Sequence, residues 1–143
     1  MIHLEADIHE STIILCPELS NIGRCRIKKG GKIHSHVWIG DGVDIGEDCK
    51  IQAFSFIPTG VKLGNRVFLG PRVTFTNDKN PPSDRKDWQF TLVMDDVIIG
   101  AGAVILPGIV LNKGARIGAG AVVTKNVPSN ETWFGNPARQ IGG

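Results

Sequence analysis

The densest group of reactive side chains in this sequence lies between Asn77 and Leu92, where the chain reads NDKNPPSDRKDWQFTL. Asp78 could accept a proton from an ammonium group or hold that group by charge; it could equally be a solvated loop acid. Arg85 and Lys86 suit a diphosphate, and Trp88 suits stacking on a pyrimidine ring, against the alternative of a solvated charge run. Asn77 precedes this stretch, where an Asn can cap the turn by which a chain leaves regular structure. All four histidines, His3, His9, His34 and His36, lie before residue 37. His34 and His36 are two apart and would share one face of a strand. No third ligand is placed with them, so no metal site is expected. His36 is either an exposed sheet residue or a substrate contact from a neighbouring segment.

Composition narrows the classes of function. The net charge of +2 over 143 residues is too small to argue for nucleic acid or a membrane surface. No apolar run approaches the roughly 20 residues that cross a bilayer. The first ten residues, MIHLEADIHE, are acidic and mixed and do not read as a signal peptide. Cys16, Cys25 and Cys49 show no CxxC pair and no metal-ligand spacing. An odd count without a disulfide framework fits a reducing cytosol, so a cytoplasmic location is expected. Asn130-Glu131-Thr132 matches a glycosylation pattern and is read as chance in that setting.

The elements that position these residues follow from an internal repeat. Steps of six from Ile27 meet Ile33, Ile39, Ile45, Ile51, Ile57, Leu63, Leu69 and Phe75. The frame fails at Pro81 and Asp87, then resumes unshifted at Val93, Ile99, Ile105, Leu111, Ile117 and Val123. Glycine often follows the anchor, and a smaller apolar residue such as Val37, Cys49, Val67 or Ala103 stands two positions before it. A period of six matches neither an amphipathic helix nor a long alternating strand. It matches a short strand and a turn, repeated, with three units closing one triangular coil. Stacked coils then form parallel sheets, each repeat buried against its neighbours. Anchors and small residues point inward, and glycine is expected to relieve the backbone at the bend. The whole chain, 1–143, reads as one such domain. Residues 1–26 fit the frame poorly and read as an irregular capping coil, and 78–92 reads as a loop thrown out of the solenoid. Loops on a rigid scaffold commonly carry function. Trp88 and Phe90 in a polar loop should pack on a ligand or a neighbouring subunit.

Three stretches carry a family resemblance over nearly the whole chain. FLGPRVTFTNDKNP, residues 68–81, resembles a segment of the sugar-nucleotide 3-amino N-acetyltransferases of the hexapeptide-repeat family. IGAGAVI at 99–105, echoed by IGAGAVV at 117–123, is similar to their coenzyme-A-binding coils, and GNPARQIG at 135–142 to their C-terminal segment. The resemblance implies an all-β, single-stranded left-handed parallel β-helix. It implies an N-acetyltransferase that uses acetyl-CoA as co-substrate. The acceptor would be a nucleotide-linked amino sugar (UDP or dTDP, 3-amino) bound for surface polysaccharide such as lipopolysaccharide. It also implies a homotrimer with active sites between adjacent subunits.

Residue by residue, the resemblance makes Asn77 the group that orients the sugar amine or the thioester carbonyl, and Gln52 a sugar contact. Gly100, Ala101, Gly102, Ala119 and Gly120 would line the coenzyme A groove through main-chain groups, some of them stabilising the oxyanion. Lys125 and Arg139, with Asn136 in the matched ending, would meet the phosphates; Lys113 and Arg116 read as solubility charges. One departure matters. O-acetyltransferases of this fold carry a catalytic histidine near the start of the loop, and here that neighbourhood is Thr76-Asn77-Asp78-Lys79. A hydroxyl needs such a base, whereas a neutral amine attacks a thioester directly, so the absence favours an amine acceptor. The alternatives are an O-acetyltransferase on a sugar or small alcohol, and a non-catalytic β-helix scaffold.

Overall fold

The computed structural model describes residues 1–142. The chain winds as a left-handed solenoid of three parallel sheets, each strand pairing with the strand one coil away. The first sheet holds Asp7–Ile8, Arg26–Ile27, Asp44–Ile45, Val61–Leu63, Thr91–Val93 and Val110–Leu111. The second holds Ile13–Ile14, Lys32–Ile33, Lys50–Ile51, Phe68–Leu69, Ile98–Ile99 and Arg116–Ile117, and ends in the hairpin Thr132–Gly135 and Ala138–Ile141. The third holds Asn21–Ile22, Trp38–Ile39, Phe56–Ile57, Thr74–Phe75, Val104–Ile105 and Val122–Val123. We call the turn from first to second sheet the first corner, from second to third the second corner, and from third to first the third corner.

The six-residue frame is the core. Ile33, Ile39, Ile45, Ile51, Ile57, Leu63, Leu69 and Phe75 are at most 1 % exposed, and so are the smaller residues Val37, Val43, Cys49, Val67 and Val73. Stacked anchors come from residues 18 apart, as in Ile27 beside Ile45 and Val93 beside Leu111. Across the loop, Leu63 pairs with Val93, thirty residues on. The excess over eighteen is twelve residues, two whole hexapeptides, which is why the frame resumes unshifted. The excursion ends at Phe90, earlier than the expected 92, because Thr91 and Leu92 pair with Val61 and Lys62 as ladder residues.

The first coil departs from the frame for a visible reason. A 3-10 turn, Pro17–Leu19, lengthens the path between Ile14 and Ile22, and the next corner is shortened to Gly23, Arg24 and Cys25. These strands still pair in register with the second coil.

The glycine after the anchor has a different cause from the one expected. Gly100 does not adopt positive φ; a Cβ on it would stand 2.6 Å from the Ala119 nitrogen of the next coil. Close stacking, not bending, excludes a side chain there. Positive φ falls two residues later, at the third residue after each anchor of the second sheet: His36, Phe54, Arg72, Gly102 and Gly120.

Candidate active site

The expected site residues fall on two corners of the solenoid, on either side of the third sheet. At the third corner the loop leaves and returns. The Asn77 carboxamide N–H donates to the Thr59 carbonyl at 2.9 Å, and the Asn77 main-chain carbonyl accepts from the Gln89 N–H at 2.8 Å. Asn77 therefore ties the two ends of the loop to the coil below. This is the turn-capping role; only the carboxamide oxygen and one N–H remain for any orienting role.

Asp78 closes the loop on itself. Its carboxylate accepts from the Ser83 hydroxyl at 2.6 Å, the Ser83 N–H at 2.8 Å and the Asn80 N–H at 3.2 Å. The Ser83 hydroxyl holds its pKa below the usual carboxylate range against desolvation, the next largest effect, with smaller help from the Ser83 and Asn80 N–H groups. A carboxylate stabilised in this way is a weaker proton acceptor, and here it fastens the loop. Beside it opens a groove of about 570 Å³ lined by Thr76, Asp78, Lys79, Pro81, Gln89, Leu106 to Ile109 and Thr124 to Asn126. The expected phosphate contact Lys125 thus sits in the same groove as Asp78.

The remainder of the loop folds back along the third corner. The Arg85 guanidinium lies 5.8 Å from the centre of the Trp88 ring. Both line a cavity of about 350 Å³ with His3, Asn21, Trp38, Gly40, Asp41 and Thr59. The Trp88 indole N–H is buried and has no acceptor within the described residues.

Gln52, His36 and the Gly-Ala segments lie on the second corner, away from the loop of the same chain. His36 stacks on Phe54 at 4.7 Å with 14° between the ring planes, and the Arg72 guanidinium lies 5.6 Å from the centre of the Phe54 ring. The column then stops: a Cβ on Gly102 or Gly120 would meet nothing within 4 Å. Arg72 and the stacking role of Phe54 were not legible as isolated residues. Counting three positions past each anchor would have found them.

Main-chain donors differ between corners. At three places on the first and third, the N–H two residues past the anchor is capped by a side chain of the next coil: Arg24 by Asp41, Glu47 by Asn65, Asn65 by Asp95, each at 2.8 Å. At the second corner the equivalent residues include Ala53, Pro71, Ala101 and Ala119, which carry no acceptor. The N–H groups of Gly100, Gly102 and Gly120 bond to Ile117, Pro71 and Ala101 carbonyls. They are not the outward donors expected of them. Ala101 and Ala119 are exposed, and among the described residues their N–H groups have no acceptor.

The C-terminal ending forms a hairpin in which Gly135 pairs with Ala138 across Asn136 and Pro137. Asn136 and Arg139 are exposed; an Arg139 guanidinium N–H bonds to the Ala138 carbonyl at 2.9 Å. The hairpin extends the second sheet, so these residues stand apart from Lys125. Among the described residues, no group of three or more His, Cys, Asp or Glu could hold a metal, and no helix is long and apolar enough to cross a membrane.

The family model described as bacterial transferase hexapeptide (six repeats) matches residues 42–77 and 90–125, half of the chain, and its gap coincides with the loop. The chain belongs to this family. A galactoside O-acetyltransferase of Lactococcus lactis is 36% identical over 85 residues, 55% of this chain and 41% of its own length. A 2,3,4,5-tetrahydropyridine-2,6-dicarboxylate N-acetyltransferase of Staphylococcus aureus is 40% identical over 78 residues, 54% of this chain and 31% of its own. The chain thus spans less than half the length of either relative. Among solved structures, PerB of Caulobacter crescentus in complex with CoA and GDP-perosamine superposes with a TM-score of 0.70. That match is 23% identical and covers 99% of this chain and 56% of PerB, a likeness of fold.

Proposed function

We propose that the chain is an acetyl-CoA-dependent N-acetyltransferase acting on the amino group of a nucleotide-linked amino-deoxy sugar, of the 3-amino UDP or dTDP class. It would work in the cytoplasm as a homotrimer with sites between adjacent subunits. The observation that carries this reading is the placement of the candidate residues on the two corners that flank the third sheet. The outward face of that sheet presents Trp38, Phe56, Thr74, Val104 and Val122, with Trp38 stacked on Phe56 at 5.0 Å. The corresponding face of the first sheet begins with charges, Asp7, Arg26, Asp44 and Lys62. Association of three copies through the third sheets brings the loop corner of one copy beside the second corner of the next. Loop groove, bare glycine strip and the free Ala101 and Ala119 N–H groups then form one site.

In that site the pantetheine arm lies along Gly102 and Gly120, its carbonyls accepting from Ala101 and Ala119. The neutral sugar amine attacks the thioester carbon; the new N–C bond forms, the C–S bond breaks, and the departing thiolate takes the amine proton. This route needs no strong protein base, in keeping with an Asp78 whose pKa is lowered. The relatedness to a galactoside O-acetyltransferase favours a second reading, a hydroxyl acceptor. The test is thiol release from acetyl-CoA against a panel of nucleotide-linked 3- and 4-amino sugars, with galactosides and serine as hydroxyl acceptors. Release with an amino sugar alone supports the proposal; release with hydroxyl acceptors only overturns it.

A further inference from the structure

Two arginines of this chain are held on aromatic rings rather than by carboxylates. Arg24, Arg26 and Arg66 each have an acidic partner, the closest being Arg66 with Asp96 at 2.7 Å. Arg72 lies over Phe54 and Arg85 over Trp88, and among the described residues neither forms an ion pair. A guanidinium stacked in this way is oriented while its N–H edge stays open for an anion.

The two arginines sit on opposite sides of the third sheet, Arg72 at the second corner and Arg85 in the loop at the third. Their heights along the solenoid agree. The Trp88 cavity reaches Gly40 and Thr59, which follow the strands Trp38–Ile39 and Phe56–Ile57. His36 and Phe54 precede those same strands, and Arg72 stands one coil further, about 4.8 Å along the axis. If copies pack through their third sheets about an axis parallel to the solenoid, Arg85 of one copy meets the column of its neighbour at nearly the same level. Two unpaired guanidinium groups brought together in a partly desolvated cleft repel unless an anion lies between them. The N–H groups of Ser35 and Ala53, beside the column, also have no acceptor among the described residues.

We propose that Arg72 of one subunit and Arg85 of the next form a shared clamp for the diphosphate of the acceptor. This rests on the reading above for the trimer and the acceptor class, and it adds the residue that selects a nucleotide-linked sugar over a free one. Coenzyme A, lying on Gly102 and Gly120 further along the axis, would not depend on Arg72.

The clamp is tested first by calorimetric titration of the intact protein with inorganic pyrophosphate. Binding should weaken at least tenfold in Arg72→Met and in Arg85→Met and be unchanged in the control Lys113→Met. Absence of binding to the unsubstituted protein, or equal binding by Arg72→Met, would overturn the clamp. Co-expression of the two single variants then tests sharing between subunits. Random mixing of three-chain assemblies restores both arginines at about one quarter of the sites, so about that share of pyrophosphate capacity should return. No recovery would show that the two residues do not meet across an interface. The outcomes separate from those of acetyl transfer. Thiol release indifferent to Arg72 would sink the clamp and leave the enzyme reading intact. Arg72-dependent pyrophosphate binding without thiol release would do the reverse.

Discussion

Replacing Gly102 by phenylalanine should leave the solenoid folded and weaken its affinity for acetyl-CoA. The corner already accepts this side chain two positions of the ladder away, with Arg72 between. Phe54 occupies the equivalent site with φ 65°, close to the 70° of Gly102. A Cβ on Gly102 meets nothing within 4 Å, so the structural cost is that of a non-glycine residue in the left-handed region, about 1 kcal/mol. The ring would lie along the corner and cover the strip between the Ala101 and Ala119 N–H groups. Loss of two hydrogen bonds of about 1 kcal/mol each weakens binding by about 2 kcal/mol, or roughly thirtyfold. Thermal unfolding should fall by only a few degrees, while calorimetric titration with coenzyme A should show the loss. A folded Gly102→Phe protein with unchanged affinity would refute the placement of coenzyme A on this corner.

Three further outcomes follow from other positions. Thr91 occupies an interior position at 1 % exposure with no partner for its hydroxyl among the described residues, whereas Ser20 and Ser55 at equivalent positions are hydrogen bonded. Thr91→Val should therefore stabilise the fold by about 1 kcal/mol in denaturant unfolding, and a loss of stability would show that the hydroxyl is satisfied in solution. The folded pKa of Asp78 lies below its unfolded value, so its loop contacts are fully present above about pH 4 and lost as pH falls through the lower, folded value. Proteolytic cleavage within 78–90 should rise on acidification below that pH, and in Asp78→Asn the rise should be absent. Burial pushes the Cys25 and Cys49 thiols up to about 11, while Cys16 is exposed. A thiol reagent at pH 8 should titrate Cys16 alone in the native protein and all three cysteines after unfolding.

The scaffold was legible because a hexapeptide coil writes its core as a fixed period. Each anchor from Ile33 to Val123 sits on a strand that pairs one coil away, so local spacing and tertiary contact are the same information. The glycines were legible as positions but not as causes. Gly100 and Gly102 look alike in sequence, yet the coil above leaves no room for a side chain on the first, whereas the second faces open space at a positive φ that Phe54 and Arg72 also adopt. At the site, residue type did not reveal which side chains have a near partner. Asn77 and Asp78 look reactive, and both are engaged in fastening the loop, through Thr59 and Ser83. Arg72 went unseen because its value comes from Phe54, 18 residues earlier and one coil below. The free donors of Ala101 and Ala119 were hidden for a related reason: a side chain that does not cap them leaves no mark on its own.

The central claim concerns the atom that receives the acetyl group. The direct measurement is mass analysis of the product formed from acetyl-CoA and a nucleotide-linked 3-amino sugar, repeated after mild alkaline treatment. The account predicts a product heavier by one acetyl group that survives alkali, as an amide does. An alkali-labile ester, or no acetylated product from any amino sugar of the panel, would contradict it.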